Sequence, residues 1–437
     1  MRLTYTIALL FALLWPSQAR PQFIPNGVSF SGLLGTVTVD RNQWHRLNIR
    51  PSVNLGSVRA AFDLELFMDE NGRIRDRGWD FSSRRSGLQS ILRKIHYLQY
   101  GMPEDPNRPL YFRIGALDHL TIGNGLIVRD YRNTFGSPGD KRTGLDLQMR
   151  GFLWQELDLR GFVSDLVDLL DRGSPVLGGR VTTSVIGGAE LGGSLVVDLD
   201  QHAALPDSVR PIDTNPYAVY GADLIFPLYQ EAGKRFALYG GFARNAATAN
   251  RGFGIHGPGL SYLAGRLSAR VEARYTLGRF EPDHFDAFYD QTRATVSPEG
   301  RVATREDGIK DASMRGLFAH LTYERVRSFS LHLSYQHLTG SDLSDRILWA
   351  DVSIFPELLR SIRWVTLSEF YLEKRSRASS TVGFLDADQD TRFGYRIGLQ
   401  PARKVQVIWE VEFTYEPDDL DGFKRRRTFN LQTGFSL

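Results

Sequence analysis

Residues 266–278 read RLSARVEARYTLG, with an apolar side chain at every second position. Leu267, Ala269, Val271, Ala273, Tyr275 and Leu277 alternate with Arg266, Ser268, Arg270, Glu272, Arg274 and Thr276. A period of two sends successive side chains to opposite faces of a β-strand. The pattern returns at 58–68, 191–199, 329–336, 392–400, 405–415 and 428–437. Each run has one apolar face and one face of charged or hydrogen-bonding groups, and no helical segment covers either. Such a sheet needs an apolar medium on one side and water on the other.

Lipid supplies the apolar medium only if every backbone N–H and C=O is paired, which for strands means closure into a barrel. The alternating runs are roughly 9–13 residues long, near the 9–11 that a tilted strand needs to cross a bilayer. Tight links are expected around 401–403, 356–358, 325–327 and 186–188. Longer polar links are expected at 166–176, 201–215, 280–313, 374–389 and 416–425. Short turns at one end and long loops at the other is the arrangement of a transmembrane barrel. A soluble β-sandwich or β-helix fits less well, because its strands are shorter and its wet face carries fewer opposed Arg and Glu.

The charged face also predicts pairing. Folding 144–163 about Leu153 sets Arg150 opposite Glu156 and Asp146 opposite Arg160, both complementary. Within 392–412, Arg392 or Arg396 meets Glu410 or Glu412 in either of two registers.

The N-terminus reads as an export signal. Arg2 precedes the apolar run Ile7 to Trp15, and Ser17 and Ala19 are small residues placed for a cut after Ala19. Nine apolar residues are too few to span a bilayer of about 30 Å as a helix. Cysteine is absent, which rules out disulfides and thiolate metal sites and suits an oxidising compartment. With Lys+Arg 53 against Asp+Glu 50, no basic segment stands apart to bind nucleic acid.

The signal, the alternating segments and the terminal strand TFNLQTGFSL together resemble a Gram-negative outer-membrane β-barrel of the porin-like class. The resemblance implies a cell outer-membrane location, with 1–19 removed and 20–437 forming one antiparallel up-and-down barrel domain. It implies a C-terminus toward the periplasm, short periplasmic turns, long extracellular loops and contact with lipopolysaccharide. Barrel-assembly machinery is an expected partner, with Phe435 near the terminal Leu437 as its signal, and a homo-oligomer is compatible. Counting alternating runs gives about 20, three or four of them weak and near the N-terminus, and the expected number is 18, within 16–20, since such barrels take even numbers. The segment 117–133, with Gly123 and Gly125 amid Ile122, Leu126 and Ile127, reads either as one more wall strand or as an inward-folded constriction. Strand parity favours the constriction.

A hydrated lumen points to a channel or transporter for small hydrophilic solutes. The alternative is a binding, adhesion or structural barrel with a plugged lumen. The expected lumen-lining residues are Arg266, Arg270, Glu272, Arg274, Arg392, Arg396, Glu410, Glu412, Asp146, Arg150, Glu156 and Arg160, a mixture of signs that sets ion preference. His320 and His332, placed opposite each other by a turn at 325–327 with Glu324 near, are a conceivable divalent metal pair. Polar lumen filling is the plainer reading, no third ligand is fixed by spacing, and no cofactor is expected. Ser334 beside His332 is the nearest approach to a nucleophile and base. No GxSxG or HExxH occurs, so no enzyme is expected. The stretch RFEPDHFDAFYD opens the loop 280–313, whose Asp283, His284, Asp286 and Asp290 do not match calcium-loop spacing. That loop reads as a solvated surface loop.

Overall fold

Every wall strand needs partners on both edges, and the computed structural model supplies them. It describes residues 27–436 except 40–41, 70, 75–78, 104–107, 135–141, 153–155, 171–172, 207, 247–250, 298–299, 326–327, 342, 356, 360–361, 363, 377–383, 385–390, 403–404 and 419–421. The expected leader and Leu437 lie outside the described residues. The strand Gly27–Val39 pairs with Asn42–Leu55 on one side. On the other it pairs with the last strand, Gly422–Ser436, from Ser31↔Ser436 to Thr36↔Leu431. That contact closes the sheet. All pairings in the wall are antiparallel between neighbours in the ring.

The main sheet has 21 strands by pairing. Val58–Phe62 and Leu64–Met68 are one strand interrupted at Asp63, since both pair with Asn42–Leu55. Among the described residues the wall therefore has twenty strands, two more than expected and at the top of the range. The surplus comes from short strands. Ile95–Tyr100 and Leu110–Gly115 have 6 residues each, too few alternations to announce themselves.

Side-chain exposure follows the period of two. Val271 is 52% exposed while its neighbour Glu272 is 1% exposed, and Tyr275 and Leu277 face out while Arg274 and Thr276 are buried. Outward Leu195, Leu224, Phe242, Leu260, Leu317 and Phe370 continue the apolar surface round the wall. A closed antiparallel ring with this apolar exterior is an outer-membrane β-barrel, and the outer membrane is its location.

Two link and two register expectations are corrected. The link after Ser344–Ile354 runs to Val365 and is not a tight turn, whereas Val405–Asp418 and Gly422–Ser436 leave only 419–421 between them. Glu416↔Lys424 and Thr414↔Arg426 are rungs of that pair, so pairing continues where a polar link was expected. In the 144–163 hairpin, Gln148 rather than Asp146 lies opposite Arg160. Likewise His320 faces Ser334, and His332 faces Thr322. Each register is displaced by two residues, which keeps every side chain on its own face and is therefore invisible to alternation.

Two segments lie inside the ring. Leu120–Ile122 and Val128–Tyr131 pair with each other as a separate hairpin, off the wall sheet. The loop 280–313 carries a helical turn, Tyr289–Thr292, and a small hairpin, Ala294–Val296 with Val302–Thr304. It docks on the first hairpin through Asp283 N–H to Leu126 O (2.9 Å), Phe285 N–H to Ile127 O (3.2 Å) and Arg129 N–H to Phe285 O (3.2 Å). The expectation of a solvated surface loop is thus overturned: Phe280, Phe285, Tyr289, His284 and Arg293 are all buried.

Candidate functional site

The two inner segments fill one side of the lumen. Their Leu120, Ile122, Leu126, Val128, Tyr131 and Phe285 form a single apolar cluster with Phe162, Val176, Val196, Tyr217, Val219 and Ala243 of the wall. A lumen face expected to be charged is apolar there, because it meets protein rather than water. Glycine makes the approach possible: a Cβ at Gly123 of the inner hairpin would collide with the wall's Arg180 guanidinium, and one at Gly254 of the wall with the Phe280 ring of the inner loop.

Ionic contacts fix the rest of this interface. Arg274 is fully buried and donates to Glu272 Oε1 at 2.6 Å and to Asp283 at 3.0 and 3.2 Å, and it also bonds Gln336. Arg129 of the inner hairpin reaches Asp283 Oδ2 at 3.1 Å, and its guanidinium lies 3.9 Å from the Phe318 ring centre. Glu272 also accepts from Tyr239 Oη at 2.7 Å and lies 3.2 Å from His256 Nδ1. Burying so many charges is tolerable only because each is paired and hydrogen-bonded. Arg305 grips Asp286 with two hydrogen bonds of 2.8 and 2.9 Å. Burial alone would raise the Asp286 carboxyl, but Arg305 and Arg375 outweigh it and hold it below the ordinary carboxylate range.

The opposite side of the lumen is hollow. A cavity of about 430 Å³ lies between Asp286, Phe288, Gln291 and Thr292 of the inner loop and Glu373, Arg375, Arg392 and Glu412 of the wall. A second, of about 280 Å³, shares Phe288, Glu373, Arg392 and Glu412 and adds Arg132, Trp349, Tyr371, Arg396 and Glu410. Arg392 and Glu412 pair at 2.5 Å, and Tyr371 donates to the same Glu412 oxygen at 2.8 Å. Arg396 bridges Glu369 at 2.9 Å and Glu410 at 3.1 Å. A third cavity, of about 480 Å³, lies on the packed side instead, between His119 and Gly123 of the inner hairpin segment and Gln148, Arg150, Asp158, Arg160 and Arg180 of the adjoining wall.

The residues singled out from sequence therefore divide into groups. Arg392, Arg396, Glu410 and Glu412 line the hollow side. Arg150 and Arg160 border the third cavity, with Arg160 paired to Asp146 at 3.1 Å and donating to Thr121 O at 2.9 Å. Glu272 and Arg274 point inward but are sealed behind the inner segments, and Arg270 donates to Asn124 O at 3.2 Å. Arg266 sits beyond its strand in the turn that follows Gly265, and Glu156 is exposed in the link 150–156. His332 Nε2 lies 3.3 Å from Glu324 Oε1. No group of three His, Cys, Asp or Glu able to hold a metal occurs among the described residues. Sequence reading missed Phe288, Trp349, Tyr371 and Glu373, which share the hollow side with the arginines; an inward parity with Glu369 and Arg375 was the available signal for Tyr371 and Glu373.

No family model matches the chain, and no curated protein matches it. Among solved structures, Wzi of Escherichia coli, an outer-membrane protein involved in group 1 capsule assembly and a carbohydrate-binding β-barrel, is 12% identical with a TM-score of 0.36, covering 94% of this chain and 84% of its own. OpdO of Pseudomonas aeruginosa is 11% identical with a TM-score of 0.35, over 94% of this chain and 96% of its own. OprD of the same organism is 9% identical with a TM-score of 0.32, over 96% and 97%. Likeness at this level decides nothing about what this chain binds or passes.

Proposed function

We propose that this barrel is a porin-like channel for small hydrophilic solutes, with passage confined to the hollow side of the lumen. The observation that carries the reading is the asymmetry of the interior. The inner segments pack through an apolar cluster onto one side of the wall, and across from that cluster two adjoining cavities are walled by Arg132, Arg375, Arg392 and Arg396 against Glu369, Glu373, Glu410 and Glu412. Lining charges of both signs offer donors and acceptors to a hydrated solute while Phe288, Trp349 and Tyr371 restrict its width. Discrete conductance steps from folded protein in planar bilayers, narrowed by Phe288→Trp, are the expected result. Folded, heat-modifiable protein that gives no steps overturns the channel reading.

A second reading has its own support. The inner segments are held by a packed core and buried ion pairs, as in a barrel that captures a ligand without passing it. In that case Trp349 fluorescence responds to a saturable solute while conductance stays absent. No catalytic role is proposed for Ser334 or its neighbours.

A further inference from the structure

Four consecutive wall strands are too short for the membrane they stand in. Ile95–Tyr100, Leu110–Gly115 and Gly144–Met149 have 6 residues and Leu157–Val163 has 7. From Tyr217–Glu231 onward the wall strands have 11 to 15. At about 3.4 Å per residue and a tilt near 40°, six residues rise only ~15 Å, against an apolar belt of ~25 Å. The missing ~10 Å lies at the end of the long links. Ile95 pairs with Phe62, beyond which the neighbouring strand continues to Met68 without it.

Two helices occupy that place. Arg84–Lys94 runs directly into Ile95, and Leu166–Leu170 follows Val163 by two residues. Thr143, which precedes Gly144, ties them together. Its hydroxyl donates to Leu92 O at 2.8 Å, its carbonyl accepts from Leu166 N–H at 2.7 Å, and its N–H donates to Asp165 Oδ1 at 3.3 Å. The width of a helix, about 10 Å, matches the shortfall. The first helix starts at a reciprocal cap between Ser83 and Ser86 and buries its Gly87 and Ser90 side. Its other side is apolar and open: Leu88 is 46% and Ile91 54% exposed, beside Phe81 at 57% and Leu169 at 48%. Cations open that face, with Arg84 and Arg85 in the first turn and no acid there.

We infer that the helix pair completes the lipid-facing belt above the short strands and docks in the outer leaflet. Leu88, Ile91, Phe81 and Leu169 enter the acyl region, and Arg84 and Arg85 meet the phosphates of lipopolysaccharide. Continuity selects this occupant: the helix runs straight into Ile95, which pairs with outward-facing Phe62, already part of the lipid surface. Charge selects it again, since an apolar helix face with a basic rim is the pattern of helices that lie in an anionic interface.

The chain has no cysteine, so single-cysteine labelling is direct. Leu88→Cys and Ile91→Cys, each carrying a polarity-sensitive fluorophore, are reconstituted in vesicles of lipopolysaccharide and brominated phospholipid. Val271→Cys on the wall exterior and Ile186→Cys, in a turn and 97% exposed, serve as lipid and water references. Quenching by brominated lipid at 88 and 91 that matches residue 271 is expected. Quenching by aqueous iodide that matches residue 186 overturns the docking. In parallel, lipopolysaccharide should raise the temperature at which the folded gel band is lost. Combining Arg84→Gln and Arg85→Gln should abolish that increment and leave the transition in phospholipid alone unchanged. A double variant that keeps the whole increment overturns the phosphate contact.

Discussion

The Tyr289 hydroxyl donates to Asp198 Oδ2 at 2.8 Å, joining the inner loop to the wall strand Glu190–Asp198. Arg293, four residues on, reaches the same oxygen at 3.3 Å and the Ser174 carbonyl at 2.9 Å. All three side chains are buried. A single wall carboxylate thus holds two positions of the loop that divides the lumen.

Removing that carboxylate should free the loop. Asp198→Ala leaves the Arg293 charge buried without its acid, a loss of about 3–5 kcal/mol. Tyr289→Phe removes one bond to a charged acceptor and should cost about 1.5–3 kcal/mol. The expected readouts are faster protease cleavage within 280–313 and larger, noisier conductance, with Asp198→Ala the more severe. Equal, wild-type cleavage in both variants would show that the apolar cluster alone holds the loop.

Position in the lumen should separate arginines that look alike in sequence. Arg392→Gln leaves Glu412 at the hollow side and should move the reversal potential in a KCl gradient toward cations; Glu412→Gln should move it toward anions. Arg274→Gln, behind the inner segments, should leave the reversal potential in place and lower stability by about 3–5 kcal/mol, since Glu272 and Asp283 lose a shared partner. A selectivity shift in Arg274→Gln without destabilisation would place ions behind the inner segments.

Why one arginine was legible and another was not has a physical basis. Alternation reports which face a residue is on, so the inward parity of Arg270, Glu272 and Arg274 could be read from 266–278 alone. It does not report what fills the lumen opposite them. The acids of RFEPDHFDAFYD suggested water, yet Asp283 and Asp286 are neutralised by Arg274, Arg129 and Arg305, partners supplied by other segments or by the far end of the loop. The overlooked signal was aromatic density: Phe280, Phe285, Phe288 and Tyr289 within ten residues suit a buried segment better than a solvated one. Registers failed for a different reason. A two-residue slip preserves every face, and complementary charges at spacings of two, such as Asp146 and Arg160, still reach one another diagonally.

The lipid face should resist charge. Val271 is outward on a strand whose neighbours in the ring are also apolar outside, so Val271→Arg should cost about 2–4 kcal/mol near mid-bilayer. Lower yield of heat-modifiable protein is the expected sign. Val271→Leu should fold as the parent does, and poor folding of both would point to packing rather than lipid as the constraint.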